Sequence, residues 1–174
     1  MARSGVITVM SDDWLAALYD EHARALYAFL LHLAQNEHDA QDVLQGVFCA
    51  LAAKPKTLAG VKNVRSFLLR MAHRRLIDLW RRNRRLEPLE AAPTEIFAPV
   101  EDPDAAAFRD AASRALAALP AEQRSVVHLK LWENLTFAEC AEVLGIPANT
   151  AASRYRYGLD KIRDLLRPTL EEWK

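Results

Sequence analysis

The stretch Leu135-Thr-Phe-Ala-Glu-Cys-Ala-Glu-Val-Leu-Gly-Ile-Pro-Ala-Asn-Thr-Ala-Ala-Ser-Arg-Tyr-Arg-Tyr157 decides the fold. Thr136 followed by Glu139 spells a capping box, with Leu135 and Cys140 spaced as its hydrophobic staple. The short helix so started, Phe137 to Leu144, should stop at Gly145, the residue best suited to a left-handed C′ position. Ile146 would plug a small core, and Pro147 pre-sets φ for the next helix, expected over Ala148 to Leu166. A short helix, a glycine turn and a longer helix make a helix-turn-helix, whose second helix enters the major groove of DNA N-terminus first. Asn149, Thr150, Ser153, Arg154, Arg156 and Tyr157 would then face the groove. Asn and Arg there can make bidentate contacts to adenine and guanine edges, each worth roughly 1–3 kcal/mol of discrimination. The helix N-terminus and Thr150 suit a phosphate. The plainer alternative is a helical hairpin with a solvated polar face.

Upstream, the pattern stays helical. Trp14, Leu15, Leu18, Leu26, Phe29, Leu30 and Leu33 mark an amphipathic helix over Ser11 to Ala34, with Ser11 as cap and Asp12 and Asp13 in its first turn. A second helix is expected from about His38 to Ala53, broken by Lys54 to Gly60. A third starts near Val64 and runs into an arginine cluster. Residues 86–104 hold Pro88, Pro93, Pro99 and Pro103 among acids and alanines and read as a linker. Beyond it, one helix should end at Pro120 and another cover about Ala121 to Trp132. The fold class is therefore all-α: a leader over 1–10, a helical unit over 11–85, the linker over 86–104, and a helix-turn-helix unit over 105–174.

Charge is sorted along this plan. The 23 basic and 23 acidic residues cancel overall, yet Arg65, Arg70, Arg74, Arg75, Arg81, Arg82, Arg84 and Arg85 face one acid, Asp78, within 65–85. Residues 86–110 then carry seven acids and Arg109 alone. Such blocks suit a local polyanion-binding face. Arginines beside Phe67, His73 and Trp80 could neutralise phosphates and stack unpaired bases, although residues such as Phe67 and Trp80 are more often core than base-stacking. Six phosphate contacts would give a salt slope of about −5 on duplex DNA. Asp78 is expected to pair with Arg74 or Arg82 at i±4.

Other chemistries find little support. No segment approaches the roughly 18 apolar residues of a membrane span, and the leader is too short for a secretory signal. Cys49 and Cys140 stand apart with no CxxC, which favours a reducing, cytoplasmic setting. His22, His32, His38, His73 and His128 form no nucleophile, metal or phosphate-loop constellation, so no enzyme activity, catalytic residue, metal or cofactor is expected.

Two segments read together resemble a known family. Asp39-Ala-Gln-Asp-Val-Leu-Gln-Gly-Val-Phe48, Val64-Arg-Ser-Phe-Leu-Leu-Arg-Met-Ala72 and Asp78 to Arg82 resemble region 2 of bacterial sigma factors. Leu119-Pro-Ala-Glu-Gln-Arg124 and the helix-turn-helix resemble region 4. Their order across a short linker is that of the extracytoplasmic-function (ECF) group of the sigma-70 family. The resemblance implies promoter-directed initiation with core RNA polymerase, through its β′ clamp and β flap, on promoter DNA. It also implies an anti-sigma partner and no small-molecule substrate. Asp39, Asp42, Gln45 and Phe48 fall where the family meets the clamp. Lys56, Lys62, Asn63, Arg70, Arg74, Arg75, Trp80, Arg81, Arg82, Arg84 and Arg85 fall on the −10 DNA side. Asn149 to Tyr157 fall on the −35 side. The chain departs from the family's usual residues at Gln41 and Gly46, where Glu is common, and at Arg74, Ala152 and Leu159. Two further readings stay open: a stand-alone helix-turn-helix regulator that dimerises through 11–85, and a sigma mimic that sequesters an anti-sigma factor.

Overall fold

The computed structural model describes residues 13–83 and 103–171, with side chains described over 13–83 and 110–168. Within them lie seven α-helices and one 3-10 turn, and no strand. The first three helices are α1 (Trp14–Ala34), α2 (Glu37–Ala53) and α3 (Val64–Asn83), with the 3-10 turn Pro55–Leu58 between α2 and α3. The other four are α4 (Pro103–Ala117), α5 (Ala121–Leu131), α6 (Phe137–Leu144) and α7 (Ala148–Glu171). The leader and the residues between 83 and 103, including Arg84 and Arg85, lie outside the described residues.

Most boundaries have a local cause. Asn36 caps α2 by accepting from the Asp39 amide at 3.1 Å, and Asn63 caps α3 by accepting from Ser66 N at 3.0 Å. The expected cap of α1 is corrected: α1 starts at Trp14 with Asp13 at the cap position and no side-chain bond there. The α6 capping box is present as expected, Glu139 N donating to Thr136 Oγ1 at 3.2 Å and Thr136 N to Glu139 Oε2 at 2.8 Å. Gly145 ends α6 at φ 68°, a left-handed conformation that glycine adopts without steric penalty. α7 is longer than expected, running through Pro168 to Glu171. Pro168 sits in the exposed last turn, where the Asp164 carbonyl that loses its amide partner can turn to water.

The core belongs to both halves of the chain. Leu18, Leu26, Phe29, Leu30 and Leu33 of α1, Val47 and Leu51 of α2, and Leu68, Leu69, Ala72 and Leu76 of α3 are buried in one cluster. Val126 and Leu129 of α5, Cys140, Val143 and Leu144 of α6, and Ala151 of α7 join the same cluster. α1 packs on α5, and α3 packs on α6. The two helical units expected from the sequence are thus pressed together over apolar surface.

Polar bonds bridge the same boundary. Gln35, left-handed at φ 53° at the end of α1, donates through Nε2 to the Ala117 carbonyl at 2.8 Å. Arg124 Nη1 donates to that carbonyl at 2.8 Å, and its Nη2 reaches the Leu33 carbonyl at 3.4 Å. Arg65 of α3 pairs with the buried Glu133 at 2.5 Å, and Arg70 with Glu142 of α6 at 3.1 Å.

Candidate nucleic-acid interface

α7 is held from behind by two close contacts. Tyr155 turns inward, its ring 5.6 Å from that of Phe137 on α6. Gly158 lies against α5, where a Cβ would meet Val127 Cγ2 at 2.9 Å. With those residues facing in, Asn149, Arg156 and Tyr157 are exposed, and Thr150, Ser153 and Arg154 are half-buried. The Ser153 hydroxyl donates to the Thr150 carbonyl at 3.0 Å. Arg154 pairs with Glu122 of α5 at 3.2 Å, which holds its guanidinium in place. Arg156 lies 5.2 Å from the centre of the Tyr157 ring.

The arginine helix presents a second cationic face. Arg74, Arg75, Arg81 and Arg82 are exposed along α3, and Trp80 is half-buried. The expected partner of Asp78 is corrected: its carboxylate meets Arg81 at 3.6 Å, three residues on, while Arg82 Nε donates to the Asp78 backbone carbonyl at 3.3 Å. Arg70 is drawn to Glu142 and lies 5.5 Å from the centre of the Phe67 ring. Lys56, Lys62 and Asn63 are exposed at the loop before α3. His73 shows how near the two cationic faces lie. Burial, then the charges of Arg74 and Arg154, lower its pKa to about 4.

A third surface lies on α2. Asp42 and Gln45 are exposed, Asp39 is half-buried, and Asp42 contacts His38 at 3.4 Å. Phe48 is buried, its ring 4.8 Å from that of Tyr19. It lines an apolar groove of about 450 Å³ between α1 and α2, with Leu15, Tyr19, Leu44, Gln45 and Cys49. A Cβ at Gly46 would stand 3.2 Å from Arg75 Nη1, so the missing side chain leaves room for that guanidinium against α2.

Family models for Sigma-70 region 2 and Sigma-70 region 4 match residues 18–86 and 109–162. A relative from Mycobacterium tuberculosis, the ECF RNA polymerase sigma factor SigL, is 30% identical over 168 residues, covering 94% of each chain. The chain belongs to the ECF group of sigma factors. Another relative, the ECF sigma factor RpoE of Cereibacter sphaeroides, is 27% identical and covers 85% of this chain and 83% of its own. The sigma factor RpoE of Bartonella quintana, solved in complex with the anti-sigma factor NepR, superposes with a TM-score of 0.68 at 20% identity. It covers 89% of this chain and 98% of its own, a likeness of fold.

As an ECF sigma factor the protein is a DNA-binding transcription-initiation factor. Among the described residues no group of three metal-ligating side chains occurs and no helix is long and apolar enough to cross a membrane. The sequence reading missed the buried polar groups between the two helical units. His32 and the partly exposed Arg65 lie far in the chain from the buried His128 and Glu133 that they meet, and no local pattern links them.

Proposed function

We propose that this sigma factor divides its work among the three surfaces just described. The exposed start of α7, with Asn149, Arg154, Arg156 and Tyr157, reads base edges of the −35 element in the major groove. The arginines of α3 and of the segment that follows hold phosphates around the −10 element, and the loop with Lys56, Lys62 and Asn63 meets its unpaired bases. Bases already unstacked cost only a few kcal/mol to extrude, so capture of melted DNA needs no catalytic group. The α2 face with Asp39, Asp42, Gln45 and the edge of Phe48 docks on the β′ clamp of core RNA polymerase, and the second unit on its β flap. The protein acts in the cytoplasm without chemistry or cofactor of its own, under the control of an anti-sigma factor. The boundaries of its working units are those of the sequence reading, 11–85 and 105–174.

The observation that carries this reading is the pairing, on one chain, of a backed recognition helix with a separate arginine-lined helix. A duplex-only regulator needs just the first. Run-off transcription with core polymerase on a genomic fragment library tests it. New start sites should appear only when the protein is added. Duplex binding without new start sites would assign the chain to a stand-alone regulator instead.

A further inference from the structure

Two imidazoles from different helical units meet inside the protein. His32 of α1 and His128 of α5 touch through their Nδ1 atoms, both rings at most 1% exposed. Their ring centres are 4.5 Å apart, and the Trp132 ring stacks on His128 at 5.2 Å and meets His32 edge-on at 4.9 Å. His32 Nε2 has no hydrogen-bond partner, and His128 Nε2 has Glu133 at 3.6 Å, beyond hydrogen-bond length. The contact needs one ring nitrogen to donate and the other to accept, so it exists only while at least one ring is neutral.

Burial opposes protonation of the pair, and the charged groups around it pull in both directions. Arg124 of α5 acts on His32, and Arg65 of α3 acts on His128. Glu133, paired with Arg65 at 2.5 Å, favours a charged His128 more than Arg65 opposes it, but burial outweighs both. His22 of α1 faces the same Arg65 and Glu133 charges. Burial, then the neighbouring His128 and Arg124 charges, drive His32 down to about 2; burial is also the main cause that lowers His128.

We propose that His32 and His128 form a proton-sensitive latch between the two helical units: neutral rings hold the units closed, and protonation in mild acid releases them. Once separated, each imidazole regains water and its ordinary affinity for a proton. Acid therefore pulls the equilibrium toward the open form. The sign is the same for both rings, since each is lowered in the closed form: their contribution to closure is full above the open-state pKa of 6.5 and is lost as pH falls below it. For an open-state pKa of 6.5, moving from pH 7.5 to 5.5 favours opening about tenfold per histidine, or about 100-fold for the pair.

The latch bears on function because closure puts the two DNA-facing helices side by side. Arg70, on the −10 side, is 3.1 Å from Glu142 of the helix-turn-helix. Elements about 25 base pairs apart are separated by roughly 85 Å along the duplex at about 3.4 Å per step. The closed form cannot span them. This consequence rests on the promoter reading above, whereas the latch is tested by distance alone, so the two can fail separately.

The test uses the full chain with spin labels on exposed Cys49 and on Lys161→Cys; Cys140 is buried, with its thiol pushed up to about 11, and stays unlabelled. Pulsed EPR distances are compared at pH 7.5 and 5.5 in the otherwise unchanged chain and with His32→Leu/His128→Leu. The histidine chain should shift from a short to a long distance population by about 100-fold in equilibrium constant, and the leucine pair should stay closed at both pH values. His32→Leu alone should retain about a tenfold shift, which serves if the double variant folds poorly. An identical shift in histidine and leucine chains, or no shift in the histidine chain, would overturn the proposal.

Discussion

Gly158 on α7 stands so close to Val127 on α5 that a Cβ at position 158 would meet Val127 Cγ2 at 2.9 Å. Val127 is fully buried and β-branched, so its methyl has one preferred rotamer and nowhere to retreat. Glycine is thus kept inside a helix where alanine would otherwise gain about 1 kcal/mol. Overpacking costs typically 1–3 kcal/mol and wins that comparison. Gly158→Ala should lower unfolding stability by up to about 2 kcal/mol, read as a lower urea midpoint with an unchanged slope. An equal or higher midpoint would show that α5 and α7 can part without cost.

The same substitution at Gly46 should have the opposite sign. Its new Cβ would meet Arg75 Nη1 at 3.2 Å, but that atom is the far end of a flexible, exposed side chain. Arg75 can swing into water, so the helix-propensity gain dominates. Gly46→Ala should raise stability by about 0.5–1 kcal/mol. Polymerase affinity is a separate readout: if Arg75 meets the clamp from its seat over Gly46, the more stable variant should bind core polymerase less tightly. Equal binding would place Arg75 on the DNA side alone.

Thr136 offers a cleaner test of the helix-turn-helix, because at the start of α6 its hydroxyl accepts from Glu139 N while the Glu139 carboxylate accepts from Thr136 N. Thr136→Ala removes the acceptor for Glu139 N and should cost about 1 kcal/mol. Circular dichroism during urea unfolding reads it. A change below a few tenths would mean that tertiary packing fixes α6 without its cap.

This motif was readable because every part of it is local: a cap three residues from its partner, a glycine at the stop, and a periodic apolar face. The arrangement of the two units was not readable, for an equally physical reason. Arg65 and Glu133 are 68 residues apart, and neither has a neighbour in sequence that marks it as half of a pair. His32 looks like any histidine on an amphipathic helix until α5 brings His128 against it. The partner of Asp78 was misassigned by one residue, since i+3 and i+4 arginines are both on its face. The assignment of Arg154 as a groove residue followed from the motif, but its hold by Glu122 depends on how α5 crosses α7.

Arg65→Ala should expose what Glu133 costs when left alone. Burial pushes the Glu133 carboxyl up, but the pull of the neighbouring His128 and Arg65 outweighs it and holds the group below its ordinary value. A lowered carboxyl adds stability above pH 4.5 and loses it as pH falls through its folded value. Without Arg65 the balance tips toward burial, the carboxyl rises, and the acid loss starts at higher pH. Because the Arg65 side chain is 47% exposed, the cost at neutral pH should be about 2 kcal/mol, below that of a fully buried pair. Denaturation at pH 7 and pH 5 checks both the size and the shift, and an unchanged acid limb would contradict the role given to Arg65.

The division between reading and anchoring predicts two different kinds of loss. Arg154 pairs with Glu122 of α5 near the start of α7, and in the proposed division it is a reading residue that meets one or two bases. Arg154→Ala should cost roughly 1–3 kcal/mol on promoters carrying its preferred base and little on the rest, so the ranking of promoters changes. Arg82 is exposed on α3 and its Nε is bound to a backbone carbonyl, which leaves its other nitrogens to a phosphate. Arg82→Ala should weaken every promoter alike, preserve their order, and reduce the salt slope by about 1. Holoenzyme binding to a promoter panel at several salt concentrations separates the two. If both variants lost affinity uniformly, α7 would be anchoring the duplex rather than reading it.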